Sequence, residues 1–351
     1  MSYNRIATPR MYMDRLSFDL ATGQRTISNY TLTDDAGSPS TVTPSSGVLE
    51  DLFDLKPSNF ITIAAATTGF RINIDTHATN AVAETNFLAI LGHNFEYADA
   101  VFKVEYSDSS DFSSGVTIAS NSCTRVINAR VEGADANFVD PASNGWTLIT
   151  WADNSDVNNQ YKRITIEDDD GGTTNFSQDV KIGAIMMGEY IDFPNSPDLD
   201  VGFSIDYEGS KLLTSAGGSS YAASSYLGSP AWAKSNPWVL VASAFENEGS
   251  HLSRTYGRRK YDMNFSYVAD TNLFQSNMRA GHGAMVDGSD LYSQFYHKSL
   301  GQHLPFLFTI DGSLADSEGD YGLYRLADGE MKTKQVAHRA WNTSLSLVES
   351  W

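Results

Sequence analysis

Cysteine is nearly absent: Cys123 is the single one in 351 residues. That excludes an internal disulfide framework and any zinc site built on cysteines. Its setting, Asn121-Ser122-Cys123-Thr124-Arg125, matches no nucleophile signature, so the thiol reads as a small half-buried hydrophobe. Long apolar runs are missing too, and none approaches the ~20 residues that cross a bilayer as a helix. The opening Met1-Ser2-Tyr3-Asn4-Arg5 has no basic stretch followed by an apolar one, so no signal peptide is expected and synthesis is expected in a cytoplasm. Basic residues are scarce: 24 Lys and Arg against 43 Asp and Glu leave a net charge of -19. A surface of that sign repels phosphate backbones and disfavours nucleic acid as a partner.

Signatures of catalysis are missing as well. Gly-x-Ser-x-Gly, a Gly-Lys-Ser/Thr phosphate loop, His-Glu-x-x-His and the dinucleotide glycine fingerprint do not occur. The chain is therefore read as non-enzymatic, with no catalytic residue, cofactor or metal assigned. Of the scattered histidines, His93 in Gly92-His93-Asn94 and His282 in Gly281-His282-Gly283 lie in tight turns, where bonding to local backbone is the simpler account. Asp168-Asp169-Asp170-Gly171-Gly172 has the look of a calcium loop, but no glutamate stands at the twelfth position. Acidic residues followed by glycines also suit a hairpin tip, because glycine accepts positive φ. Asp108 and Asp111 carry the same two readings.

What is present is strand signal. Short alternating runs recur between Gly, Asn, Asp, Ser and Pro clusters: Phe60–Ile63, Gly69–Ile74, Ala100–Tyr106 and Tyr161–Ile166. In the third, Phe102, Val104 and Tyr106 share one face while Val101, Lys103 and Glu105 share the other, as in a sheet with one side on a core. Asn86–Gly92 is apolar throughout and reads as a central strand buried on both faces. Residues 1–190 thus read as a β-sandwich of roughly eight strands behind an N-terminal extension. Phe193-Pro194-Asn195-Ser196-Pro197 punctuates the chain, and 191–351 reads as a second β-rich domain with short helices near Asp270–Met278 and Leu291–Tyr296. Further strands are expected at Val201–Tyr207, Trp238–Val241, Tyr261–Tyr267, Phe306–Ile310, Gly322–Leu326 and Asn342–Glu349. A Ser/Gly-rich arm spans about 212–230, too poor in aliphatic residues for a core and suited to ordering in an assembly.

Two features point to protein contacts. Arg258-Arg259-Lys260 stands out in so acidic a chain; it is either a basic edge that docks on an acidic neighbour or a solvated turn paired with local carboxylates. Tyrosine is abundant, at 17 residues, and suits interfaces that need rigid amphipathic area. The candidate interface residues are Arg254, Tyr256, Arg258, Arg259 and Lys260, with Tyr221 and Tyr226 in the arm.

Several segments together carry a resemblance: Lys56-Pro57-Ser58-Asn59-Phe60, Gly69–Ile74, Leu91-Gly92-His93-Asn94, Ile182-Gly183-Ala184-Ile185 and Tyr256–Tyr267. Their order resembles a family of bacteriophage virion proteins, mostly tail-associated, whose first half is similar to a discoidin-like, galactose-binding-type jelly roll. The resemblance implies a virion structural protein of the tail tip or baseplate, acting in a symmetric oligomer with copies of itself and neighbouring virion proteins. A neck or capsid-associated position belongs to the same reading. It also implies an alternative, a carbohydrate-binding adhesion module that contacts a host surface glycan through loops at one end of the sandwich. The candidate contacts there are Trp146, Trp151, Asn154 and Asp156, and His93 is expected at the sandwich rim.

Overall fold

The computed structural model describes residues 7–35, 39–76, 85–131, 137–142, 145–152, 159–206, 212–222, 258–274, 290–313 and 321–350. Among the described residues 48% lie in strands and 13% in helices, so the mainly β expectation holds. Period-two alternation builds the smaller, seven-stranded sheet. In the strand Gly69–Asp75, Phe70, Ile72 and Ile74 are buried while Arg71, Asn73 and Asp75 stay half exposed on the other face. The strand Tyr161–Asp168 lies antiparallel beside it with Ile164 and Ile166 inside. On the far side of that strand, Ala100–Ser107 turns Phe102, Val104 and Tyr106 inward, on the face read from its sequence. The strand Tyr30–Asp34 completes this part of the sheet with Tyr30 and Leu32.

The opposite half of the core comes from an eleven-stranded sheet. Leu88 and Ile90 of Phe87–His93, Ile149 and Trp151 of Gly145–Trp151, and Ile185 and Met187 of Ala184–Asp192 meet the inward residues of the smaller sheet in one apolar cluster. Two sheets facing one core in this way form a β-sandwich. Phe87–His93 is buried along its whole length, as its unbroken apolar run foretells, and lies between the other two strands. Its second face, with Phe87, Ala89 and Leu91, joins Trp146, Leu148, Met186, Tyr12 and Tyr321 in a separate cluster.

The strand Arg10–Asp14 pairs with Ala184–Asp192 on one side and with Phe306–Thr309 on the other. The segment expected as an N-terminal extension thus joins the two halves of the main sheet. The division drawn at 190/191 falls inside Ala184–Asp192, and the sheet runs across it. Past Phe306–Thr309 it continues through Tyr321–Leu326, Ala340–Glu349 and Arg258–Ala269 to Gly202–Asp206 at its edge. This half packs Met263, Phe265, Phe306, Phe308, Leu345 and Leu347 against Phe193, Leu291 and Phe295.

A short helix, Arg15–Ala21, has no counterpart in the sequence reading. Asp14 caps it: its carboxylate accepts the Leu16 and Ser17 N–H groups, and also the N–H of Met187 across the sheet. The helix expected from Asp270 covers Asp270–Leu273 and its remainder, from 275, lies outside the described residues. The one expected at Leu291–Tyr296 is a π-helical turn at Tyr292–His297. In the arm, Leu212–Thr214 and Ser220–Ala222 pair as a small hairpin. Residues 223–230 of the arm and the strand expected at Trp238–Val241 lie outside the described residues, as does His282.

Candidate functional site

The residues singled out from sequence do not gather into a site. Trp146 and Trp151, expected as loop contacts for a glycan, both lie within the strand Gly145–Trp151 and are fully buried. A strand covered on both faces buries both parities, so neither indole is open to a sugar. The indole N–H of Trp151 is committed to the carbonyl of Thr85 at 2.8 Å. Asn154 and Asp156 lie outside the described residues, as do Arg254, Tyr256 and Tyr226. Tyr221 lies in the arm hairpin opposite Leu213.

The basic run is not a turn, since all three residues open the strand Arg258–Ala269, but two of them do pair with local carboxylates. Arg259 donates Nη2 and Nε to one oxygen of Glu349 at 2.8 and 3.0 Å, its backbone N–H to the other, and Nη2 also to the carbonyl of Tyr321. Lys260 pairs with Asp206 at 2.6 Å across the neighbouring strand. His93 is buried, not at the rim. The N–H of Phe95 is directed to its Nδ1 at 3.4 Å, which leaves Nε2 to donate to the Thr147 hydroxyl at 2.9 Å. Burial pushes its pKa down to about 3, so the ring is neutral at physiological pH. Burial also pushes the Cys123 thiol up to about 12, which suits the unreactive reading. Asp168, Asp169 and Asp170 bring carboxylates together at a turn where Gly171 and Gly172 adopt positive φ. There the carboxylate of Asp168 already accepts the Thr174 hydroxyl and the Asp170 N–H.

A different place carries a better site: the outward face of the smaller sheet. Strand register sets its floor. Thr31 and Arg163 lie opposite Asn73 on either side, and Thr33 and Thr165 lie opposite Arg71. Tyr161 lies opposite Asp75. All of these but the buried Thr165 line a cavity of about 680 Å³ together with Ser28, Asn29, Pro39 and the loop residues Ser110–Ser113. Asn73 donates its amide to the hydroxyls of Thr33 and Thr31 at 3.0 and 3.3 Å, which fixes its orientation. Arg163 is held by Glu105 at 2.9 Å, and Phe112 covers its guanidinium with the ring centre 4.0 Å away.

The loop that carries Phe112 is built for that position. Phe112 takes a left-handed φ of 54°. The carboxylate of Asp111 accepts the Ser109 hydroxyl and the Ser113 N–H. Those bonds hold its pKa down to about 2. Asp75 is likewise engaged, accepting the Gln160 amide at 2.9 Å. The groove therefore presents hydroxyl, amide and guanidinium groups on a rigid sheet, lined by the rings of Phe112 and Tyr161, while its carboxylates Asp75 and Asp111 are already bonded. A second cavity of about 740 Å³ lies at Tyr296–His303 and Arg325–Ala327. Its Tyr296 hydroxyl and Gln302 amide are spent on the backbone of Gly329 and Ala327.

The chain matches no family model and no curated protein. Among solved structures it is similar to chitosan-binding module 1 of a chitosanase/glucanase from Paenibacillus sp. IK-5, with TM-score 0.29 and 12% identity over 46% of this chain and 96% of that one. It is also similar to CpGH89CBM32-4, produced by Clostridium perfringens and solved in complex with glcNAc-alpha-1,4-galactose, with TM-score 0.26 and 14% identity over 46% of this chain and 90% of that one. Likeness at this level carries no argument about the ligand. The groove has to make its own.

Sequence reasoning missed the groove because its parts are scattered between positions 28 and 163 and meet only through strand register. One signal was legible. The outward positions of Gly69–Asp75 and Tyr161–Asp168 carry Arg71, Asn73, Tyr161, Arg163 and Thr165, side chains suited to binding, where a purely solvated face is served by Lys and Glu.

Proposed function

We propose that the chain is a non-catalytic recognition module whose groove on the outward face of the smaller sheet binds a glycan. The observation that carries this reading is the cavity in which Thr31, Asn73, Tyr161 and Arg163 stand at fixed sheet positions, with the ring of Phe112 over Arg163. A sugar ring needs fixed donors and acceptors for its hydroxyls and an apolar surface for its C–H face, and the groove offers both. The test is a glycan array probed with the intact protein, followed by affinity measurements on Asn73→Ala and Phe112→Ala. Each variant should bind about tenfold or more weakly, as expected for one lost polar or aromatic contact. An array without a hit, or variants that bind like the parent, would remove the reading.

A second reading is assembly in a virus particle, in the tail tip or baseplate. Its support is an apolar edge: Leu199, Phe203 and Ile205 are 92%, 54% and 46% exposed. The last two lie on Gly202–Asp206, the end strand of the eleven-stranded sheet among the described residues. Exposed apolar side chains on a sheet edge are suited to cover by a neighbouring chain. The mass of the purified chain in solution, with antibody-labelled micrographs of whole particles, tests it. Ring-like oligomers or label at the tail tip support it, and a stable monomer that leaves particles unlabelled overturns it.

A further inference from the structure

We propose, resting on the glycan reading of the same groove, that the saccharide it takes carries an oxyanion, a uronate carboxylate or a sulfate ester, and that Arg71 is its seat. In this acidic chain other arginines are bonded, to carboxylates as Arg10 to Asp192, Arg163 to Glu105 and Arg259 to Glu349, or to carbonyl and hydroxyl oxygens as Arg25, Arg125 and Arg325. Arg71 differs. Among the described residues its guanidinium makes no hydrogen bond and no ion pair, and its Nε is sealed from solvent with no acceptor in reach. Its cross-strand neighbours, Thr33 and Thr165, are neutral.

The carboxylates around it do not serve it. Glu105 is taken up by Arg163 and the hydroxyl of Thr165. Asp35 and Glu167 act on Arg71 through space only, and burial together with the charge of Arg163 pushes its pKa down. A half-buried, unpaired guanidinium in a groove is costly unless an anion reaches it, and its planar fork matches carboxylate and sulfate oxygens. Asn73, two residues along the same strand face, is placed to bond a neighbouring hydroxyl of the same sugar.

The test uses the intact protein on an array that carries neutral, uronate-bearing and sulfated saccharides, with Arg71→Gln and Phe112→Ala beside the parent. The expected result is binding to acidic members, weakened about tenfold to a hundredfold in Arg71→Gln, as for the loss of a charge-assisted bond. Whether uronate or sulfate members are retained identifies the source of the oxyanion. Arg71 makes no bond within the protein, so the variant should melt with the parent, and loss of binding is then not loss of fold. Hits confined to neutral saccharides, weakened by Phe112→Ala but not by Arg71→Gln, would overturn this inference and leave the glycan reading standing. Acidic hits that persist in Arg71→Gln would overturn it too. An array without any hit would sink the glycan reading itself.

Discussion

His93 gives the protein a pH dependence that can be worked out in advance. The ring is fully buried and its Nδ1 faces the Phe95 N–H, so protonation would place a charge in the core and two donors face to face. Its folded pKa of about 3 lies well below the ordinary 6.5. Between those values the unfolded chain binds a proton that the folded chain refuses, so stability is lost as pH falls through 6.5 toward 3. The slope approaches about 1.4 kcal/mol per pH unit, which makes the loss between pH 7 and pH 5 about 2 kcal/mol.

Other groups titrate in the same window. Burial raises the Asp14 carboxyl to about 6, and its contribution has the opposite sign, since the folded state takes up a proton first as pH falls. The assay is therefore a difference of differences. Urea unfolding of the parent and of His93→Gln is followed by tryptophan fluorescence at pH 7 and pH 5. Glutamine keeps a donor for Thr147 and cannot ionise. The parent should lose about 2 kcal/mol more than the variant between the two pH values. Equal losses would refute the buried neutral histidine.

Three further outcomes follow from the packing. Glu349→Ala removes the buried carboxylate that Arg259 donates to and should cost about 3–5 kcal/mol, while Arg259→Met with Glu349→Leu should recover most of it in denaturant melts. Gly92→Ala places a Cβ 2.2 Å from the carbonyl oxygen of Pro57 at a φ of +69°, so its melting should show a loss above about 1 kcal/mol. Cys123 should resist iodoacetamide at pH 8 in the folded chain and react promptly in urea, as its thiol pKa of about 12 requires; fast labelling of the folded protein would contradict it.

Local pattern foretold much of the fold. The alternation in Ala100–Ser107, the apolar run of Phe87–His93 and the closing strand expected at Asn342–Glu349 all stand as read. What local pattern missed depends on distant partners. Glu349 looked like an ordinary strand-end acid, yet it is buried against Arg259, which lies 90 residues earlier in the chain and on the adjacent strand in space. The tryptophans looked like loop aromatics because polar threonines follow and precede them, and the buried Thr147 and Thr150 are satisfied by His93 and Thr124. Proline at 194 and 197 marked a real end of a strand, but a strand end does not interrupt a sheet whose continuity is supplied from Arg10–Asp14.

That joining strand imposes an order on synthesis. Residues 10–14 leave the ribosome long before either partner: one flank arrives with Ala184–Asp192, the other only with Phe306–Thr309. At ~5–20 residues per second the second wait is roughly 15–60 s, during which an apolar strand has an open edge. The sandwich around Phe87–His93 can close in the meantime, but the sheet as a whole cannot. Productive folding in the cell should then depend on whatever shields that edge, and refolding of the purified chain should be slow and sensitive to concentration.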